Sequence, residues 1–315
     1  MTTIMMETKQ LTKIDFSPFT PEDKALYENY LAGETERGCE FSFANLYLWG
    51  RQGFAVLEEQ IVLFSQFDRR SVYPYPLGVG EKKEVLDRII EDARARGIPC
   101  RITGLGETAK QTLETLYPGQ FRFHSDEGSF DYVYDIDDLA DLKGKRYHGK
   151  RNHLNRFVEA FPHYTVEPLG NHSLARVRDM LRSWYDTRLA ENPDADFQME
   201  QAALEKALRD YRRLDLVGLV LLDGERVLAV TLASRLSADT FDVHFEKALS
   251  DVQGAYAAIN RELARYIRDR FPSVRYLNRE EDMGLEGLRR AKQSYYPHHM
   301  VKKYWACLRE DGYDY

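Results

Sequence analysis

Apolar positions along this chain fall into two spacings, an alternation with polar neighbours and a recurrence every three to four residues, and these divide it into strands and helices. Over residues 81–96, Val85, Ile89 and Ala93 share one helical face and Gly97 follows as a stop, which predicts an amphipathic helix. Helices precede it within 21–50, opening at Pro21 with Thr20 as N-cap, and 54–57 and 61–67 predict a strand pair across Glu58, Glu59 and Gln60. A strand at 101–105, a helix at 107–117 and a strand at 130–134 complete this part. The order then recurs. A helix at 173–190 carries Leu174, Val177, Leu181, Trp184 and Tyr185 on one broad face, a helix at 199–211 follows, and 216–222 with 227–235 predict a hairpin across Asp223 and Gly224. A strand at 240–246, a helix at 255–270, a strand at 274–277, a helix at 285–293 and a strand at 299–308 close the pattern. Two α/β halves of similar order, divided near residue 136, predict two packed domains, 1–135 and 136–315.

The junction within residues 243–264 points furthest towards function. A strand runs through the tight loop 250–256 straight into a helix, and a helix N-terminus offers unpaired N–H groups and the positive end of its dipole to an anion. In an acyl-transfer fold of the N-acetyltransferase type this junction holds the activated donor, which makes Asp251, Gln253, Gly254, Ala255 and Tyr256 the candidate donor-binding residues.

Composition narrows the field. With 43% hydrophobic and 30% charged residues in 315, the chain is expected to be an ordered globular protein with a sizeable core. A formal charge of −7 argues against a DNA-coating protein and confines any anion partner to a local patch. No signal-peptide pattern opens the sequence, and its densest apolar run, 216–222, is too short to span a bilayer, so a cytosolic protein with at most peripheral membrane contact is expected. Cys39, Cys100 and Cys307 form no pair motif and read as small buried apolar side chains in a reduced compartment. The eight histidines show no metal-ligand spacing, and no metal is expected.

Four constellations carry candidate chemistry. Residues 142–156 hold Lys143, Lys145, Arg146, Lys150, Arg151 and Arg156 with no acid, which reads either as a contact to tRNA or another anionic ligand, or as a solvated helix start between the domains. On strand 240–246, alternation places Asp242, His244 and Glu246 on one face, where Asp242 or Glu246 would serve as a general base; the competing reading is the polar face of a half-buried strand. Asn278 and Glu281, between a strand and a helix, are candidates for binding the acceptor, although acids before a helix also suit its dipole. Tyr295 and Tyr296 stand where a phenol would assist a leaving group, among 20 tyrosines that mostly serve packing.

The strings LKGKRYHGKRNHLNR (142–156), HFEKA (244–248), QGAYAAIN (253–260) and NREEDMG (278–284), with FSFANLYLW (41–49), resemble the cytosolic domain of bacterial phosphatidylglycerol lysyltransferases and the soluble proteins grouped with it. The resemblance implies an α/β (α+β) fold of two tandem N-acetyltransferase-like domains with mixed, mostly antiparallel sheets. The active site would lie in the second domain, the first supporting it. It also implies kinship with the Fem-type transferases, which move amino acids from aminoacyl-tRNA, and therefore an acyl or aminoacyl transferase with an amine or hydroxyl acceptor. The acetyltransferase phosphate loop reads Gln/Arg-x-x-Gly-x-Gly/Ala; here Asp251 and Tyr256 take its first and last positions, which weakens acetyl- or acyl-coenzyme A as donor and favours aminoacyl-tRNA. Strand 227–235 is expected to supply a backbone N–H to the oxyanion. An acetyl-coenzyme A-dependent N-acetyltransferase and a non-catalytic RNA- or nucleotide-binding module on the same fold remain as alternatives.

Overall fold

A computed structural model describes residues 13–32, 38–67 and 70–309. In chain order the first half holds β1 (Ser17–Pro18), α1 (Lys24–Leu31), α2 (Phe43–Trp49), β2 (Gln52–Leu57), β3 (Gln60–Phe67), β4 (Arg70–Pro74), α3 (Lys82–Arg96), β5 (Arg101–Leu105), α4 (Glu107–Leu116), β6 (Phe121–His124) and β7 (Asp131–Asp135). There follow α5 (Ile136–Asp141), α6 (His148–Ala160), β8 (Thr165–Pro168), α7 (Leu174–Glu191), α8 (Gln198–Asp210), β9 (Val217–Asp223), β10 (Arg226–Arg235) and β11 (Thr240–Ala248). The chain closes through α9 (Ala255–Arg270), β12 (Tyr276–Asn278), α10 (Glu286–Gln293), β13 (His299–Val301) and β14 (Tyr304–Leu308).

The strands form two seven-stranded sheets of matching order, β1-β2-β3-β4-β5-β14-β6 and β8-β9-β10-β11-β12-β7-β13. Each is antiparallel except for one parallel pair, β4 with β5 and β11 with β12, and each parallel pair is joined by a crossover helix, α3 or α9. In each sheet the sixth place is filled by a strand from the other half of the chain: β14 enters the first sheet between β5 and β6, and β7 enters the second between β12 and β13. The sheets therefore do not divide the chain at 135/136. The strand expected as one piece over 299–308 is two, β13 in the second sheet and β14 in the first, with Lys302 and Lys303 between them.

Local sequence accounts for the elements. Val85, Ile89 and Ala93 of α3 are buried and Gly97 ends it at φ +68. The Asp135 carboxylate accepts from the backbone N–H groups of Asp137 and Asp138, which starts α5 where β7 ends. A core that includes Phe43, Leu46 and Leu48 of α2, Val177 and Leu181 of α7, Leu204 and Leu208 of α8 and Leu232 and Phe245 of the second sheet joins the two halves. A second core lies under α5, α6 and α9, and a third fills the first sheet beneath α3.

Helix α6 crosses the start of α9 closely. At Gly254, φ +85, an added Cβ would stand 2.2 Å from the His153 carbonyl oxygen and 2.9 Å from Phe157 Cβ. Gly144 also has a positive φ, +87, but open space around it. Gly254→Ala is expected to destabilise the protein by about 3 kcal/mol and Gly144→Ala by about 1 kcal/mol, measured by urea unfolding; equal losses would show that α6 yields freely.

Candidate functional site

Strands β11 and β12 pair over three residues only, Thr240 with Tyr276, Phe241 with Leu277 and Asp242 with Asn278. Beyond that β11 runs on to Ala248 while β12 ends, so the sheet splits into a wedge. On its other side β11 pairs with β10, and the register slips there: Leu232 faces Phe245 and Ala233 faces Val243, leaving His244 as an extra residue. This β-bulge reverses the alternation. Phe241 and Val243 join the core under α9, whereas Phe245 joins the core between the halves. Asp242, His244 and Glu246 consequently do not share a face, contrary to the simple alternation. The structure brings Asp242 and His244 to one polar cluster and Glu246 to another. Strand β10, expected to expose a backbone N–H, is paired along both edges, with β9 and β11; the edge facing the wedge belongs to β11.

The first cluster lies inside the wedge. Arg279 Nη2 donates to Glu246 Oε1 at 2.9 Å, and Asn260 Nδ2 of α9 donates to Glu246 Oε2 at 3.2 Å. The Arg279 guanidinium lies over the Tyr295 ring at 5.0 Å and the Tyr134 ring at 5.6 Å, and Lys150 Nζ caps the Tyr295 ring at 3.8 Å. Burial, helped by the Arg279 charge and opposed by Glu246, lowers the Lys150 ammonium to about 8. Burial pushes the Tyr295 phenol up to about 12, with Arg279 opposing it. Two buried polar atoms here, Arg279 Nη1 and Asn260 Oδ1, have no hydrogen-bond partner among the described residues. A buried donor and a buried acceptor left open beside an ion pair fit a ligand that carries both kinds of group.

The second cluster sits between the two halves. Lys303 Nζ meets Asp131 Oδ1 at 2.6 Å and Glu40 Oε2 at 2.7 Å, with Glu281 at 3.8 Å. The Cys39 N–H and Asn278 Nδ2 both donate to Asp131 Oδ2, at 2.7 and 2.9 Å. Burial alone would lower the Lys303 ammonium, but Asp131, Cys39, Glu40 and Glu281 outweigh it and hold it well above the usual lysine range. Burial raises the Cys39 thiol well above its ordinary value, Asp131 adding to it, so Cys39 is no thiolate nucleophile. Burial, then Glu280 and Asp131, also hold the Asp242 carboxyl well above the carboxylate range. Asn278 and Glu281, expected at an acceptor site, thus belong to this interior cluster. A cleft of about 520 Å³ between Gly106, Thr240, Tyr276 and His299 reaches it through Asn278.

The remaining candidates separate. Tyr295 is buried in the wedge cluster, while Tyr296 is exposed, in left-handed backbone at φ +55, with its ring edge-on to Tyr147. Of the six cations in 142–156, Lys150 turns inward. Arg151 holds the Leu142 and Gly144 carbonyls, Lys143 pairs with Asp141, Arg146 pairs with Asp138, and Lys145 and Arg156 are exposed. In the loop before α9, Asp251 is ion-paired with Arg226 at 2.7 Å, Gln253 is exposed, Ala255 is buried, and the Tyr256 hydroxyl accepts from Trp184 Nε1 at 3.2 Å. Gly254 packs on α6, so its lack of a side chain serves helix approach rather than an open phosphate cradle.

A family model, that of the phosphatidylglycerol lysyltransferase C-terminal domain, matches residues 32–307. The chain belongs to this family. A conserved protein of unknown function from Bacteroides thetaiotaomicron VPI-5482 is 34% identical, with a TM-score of 0.88 over 94% of this chain and 99% of that one. L-PGS from Bacillus licheniformis, 16% identical, shares the fold at a TM-score of 0.68 over 94% of each chain. An uncharacterized protein of Mycoplasmoides gallisepticum is 25% identical over 183 residues, 56% of this chain; the chain spans about half, 56%, of that curated relative. Like the expected architecture, this phosphatidylglycerol lysyltransferase-type chain has mixed α/β structure with two mostly antiparallel sheets. Among the described residues no helix is long and apolar enough to cross a membrane.

Several residues of these clusters escaped the sequence reading: Arg279, Asn260, Asn45, Asp131 and Lys303. Asn260 had a visible signal, a polar residue on the inward face that Ile259 and Leu263 mark. Lys303 and Asp131 gave none: Lys303 follows another lysine, and Asp131 stands between two aromatic residues like any polar residue of a strand. Lys303→Met would leave the carboxylates of Asp131 and Glu40 buried without their cation, and is expected to cost about 3–5 kcal/mol in urea unfolding. Adding Asp131→Asn should recover part of that loss; a double variant as unstable as the sum of its parts would show that the pair is not coupled.

Proposed function

We propose that this protein is an aminoacyl transferase that takes its acyl group from aminoacyl-tRNA and passes it to an amine or hydroxyl acceptor in the wedge between β11 and β12. One observation carries the reading: Arg279 Nη1 and Asn260 Oδ1 are buried without partners beside Glu246 and Lys150. An aminoacyl ester complements that set. Its ammonium suits the Glu246 carboxylate and Asn260 Oδ1, and its carbonyl oxygen suits Arg279 Nη1, which would stabilise the charge that develops as the acceptor attacks. A plain acetyl group has no ammonium to offer. Lys150, with its proton held loosely at about 8, serves as base for the acceptor, and Tyr295 donates towards the departing ribose oxygen. Exposed Lys145 and Arg156 provide a path for tRNA phosphates. The family supports this reading, as does the closure of Gly254 against α6, which disfavours a coenzyme A pyrophosphate there.

Release of a radiolabelled amino acid from charged tRNA, with and without an amine acceptor, tests it. Activity is expected to rise with pH to a plateau above about 8, because Lys150 acts in its neutral form. Lys150→Met should lower kcat at least about a hundredfold and abolish that limb, while Tyr296→Phe leaves both unchanged. Folded Lys150 sheds its proton at lower pH than the unfolded lysine. Its burial therefore costs stability at pH 7, and Lys150→Met should raise Tm there while activity falls. Turnover of acetyl-coenzyme A with no turnover of charged tRNA would overturn the proposal.

A further inference from the structure

Around His244 three further potential ligands converge. His244 Nδ1 lies 3.1 Å from Asn45 Oδ1, 3.5 Å from Asp242 Oδ2 and 3.5 Å from Glu280 Oε1. The ligand atoms of Asp242, His244 and Glu280 all lie within 4.8 Å of one another. In a tetrahedral site with bonds of about 2.0–2.1 Å, neighbouring ligand atoms stand about 3.3–3.4 Å apart, so these spacings have the right scale. The other imidazole nitrogen, Nε2, is 2.8 Å from Ser234 Oγ, the outer contact that fixes the tautomer of a metal-ligating histidine. Without a metal, Nδ1–H donates to Asn45 Oδ1; a metal ion would take the place of that proton, leaving Nε2–H to donate to Ser234 Oγ. Asn45 Nδ2 offsets part of this charge, donating to Glu280 Oε1 at 3.0 Å, Asp242 Oδ2 at 3.4 Å and the Cys39 carbonyl at 2.9 Å.

A second observation points the same way. The Asp242 side chain is fully buried, and its Oδ1 has no hydrogen-bond partner among the described residues. Five carboxylates, those of Glu40, Asp131, Asp242, Glu280 and Glu281, gather around two buried ammoniums: Lys303 contacts Glu40, Asp131 and Glu281, and Lys292, which donates to the Arg279 and Glu280 carbonyls, acts on Glu280 and Glu281, but among the described residues neither forms an ion pair with Asp242. A buried carboxyl without an ion-pair partner either keeps its proton, the direction in which Asp242 is pushed, or meets a cation that displaces that proton.

We propose that Asp242, His244 and Glu280, with Asn45 Oδ1 completing the set, form a site for one divalent first-row metal ion such as Zn²⁺ between the two halves. Imidazole with carboxylates favours such an ion over Mg²⁺ or Ca²⁺. The ion fastens α2 of the first half, through Asn45, to β11 and to the loop after β12. The site does not include the wedge residues Lys150, Arg279 and Tyr295, so it stands or falls apart from the transfer reaction.

The test uses tag-free full-length protein stripped with a chelator and titrated with Zn²⁺, with bound metal counted by mass spectrometry. Co²⁺ substitution then reports, through its visible absorption, whether an imidazole nitrogen binds. The expected result is one ion per chain, a higher Tm when loaded, and affinity weakened at least about a hundredfold in His244→Ala and Asp242→Asn and about tenfold or more in Ser234→Ala. Circular dichroism identifies the variants that fold, and Glu280→Gln, on the loop, stands in for any that does not. Folded wild-type protein that binds no Zn²⁺, or variants that bind it equally well, would overturn the proposal. So would stabilisation by lysinamide without bound Zn²⁺, which would give the cluster to an organic cation.

Discussion

The buried ion pair between Asp131 and Lys303 stands where both chain crossings occur. Asp131 is the first residue of β7, which leaves the first half to fill the second sheet, and Lys303 immediately precedes β14, which returns to fill the first. At 2.6 Å, with neither side chain more than slightly exposed, the pair fixes both crossings at one point. The hydrogen bonds that satisfy Asp131 come from Cys39 in the first half and Asn278 in the second. Removing either ion would strand the other in the interior, so the exchange of strands and the polar cluster depend on each other.

The exchange also shapes the wedge. With β7 paired against β12 on the far side, β12 is held short at Asn278 and the chain turns through Arg279 to Glu281. That turn sends Arg279 into the wedge and Glu280 and Glu281 into the interior. The bulge at His244 performs the same division on β11, with Asp242 inward and Glu246 towards Arg279 and α9. Two polar clusters of different character therefore lie back to back. One is rich in carboxylates and lies between the halves; the other combines a carboxylate, a guanidinium, an amine and a phenol.

Much of the architecture was legible in the sequence because long periodic segments such as 81–96, 173–190 and 255–270 report their buried faces directly, and the hairpin at Asp223 and Gly224 announces itself. Sheet membership was not legible: β7 and β14 read as ordinary strands, and nothing local says that each pairs with the other half. Glu246, Tyr295 and Lys150 were visible as chemistry-bearing residues, but simple alternation grouped Glu246 with Asp242, because a bulge adds one residue without leaving a mark in the pattern. Arg279 is followed by the acidic run 280–282, which draws attention to capping of the next helix and away from the guanidinium. The basic run looked uniform, and only the packing of α6 separates inward Lys150 from cations already paired with Asp138 and Asp141.

The most direct measurement is the affinity of the protein for charged against deacylated tRNA at moderate salt. If Glu246, Asn260 and Arg279 hold the aminoacyl group, charged tRNA binds at least about tenfold more tightly, and Glu246→Gln removes the difference without weakening the deacylated form. Equal affinity for the two, declining together with salt and with loss of Lys145 and Arg156, would contradict the account and leave an RNA-binding module on a transferase fold.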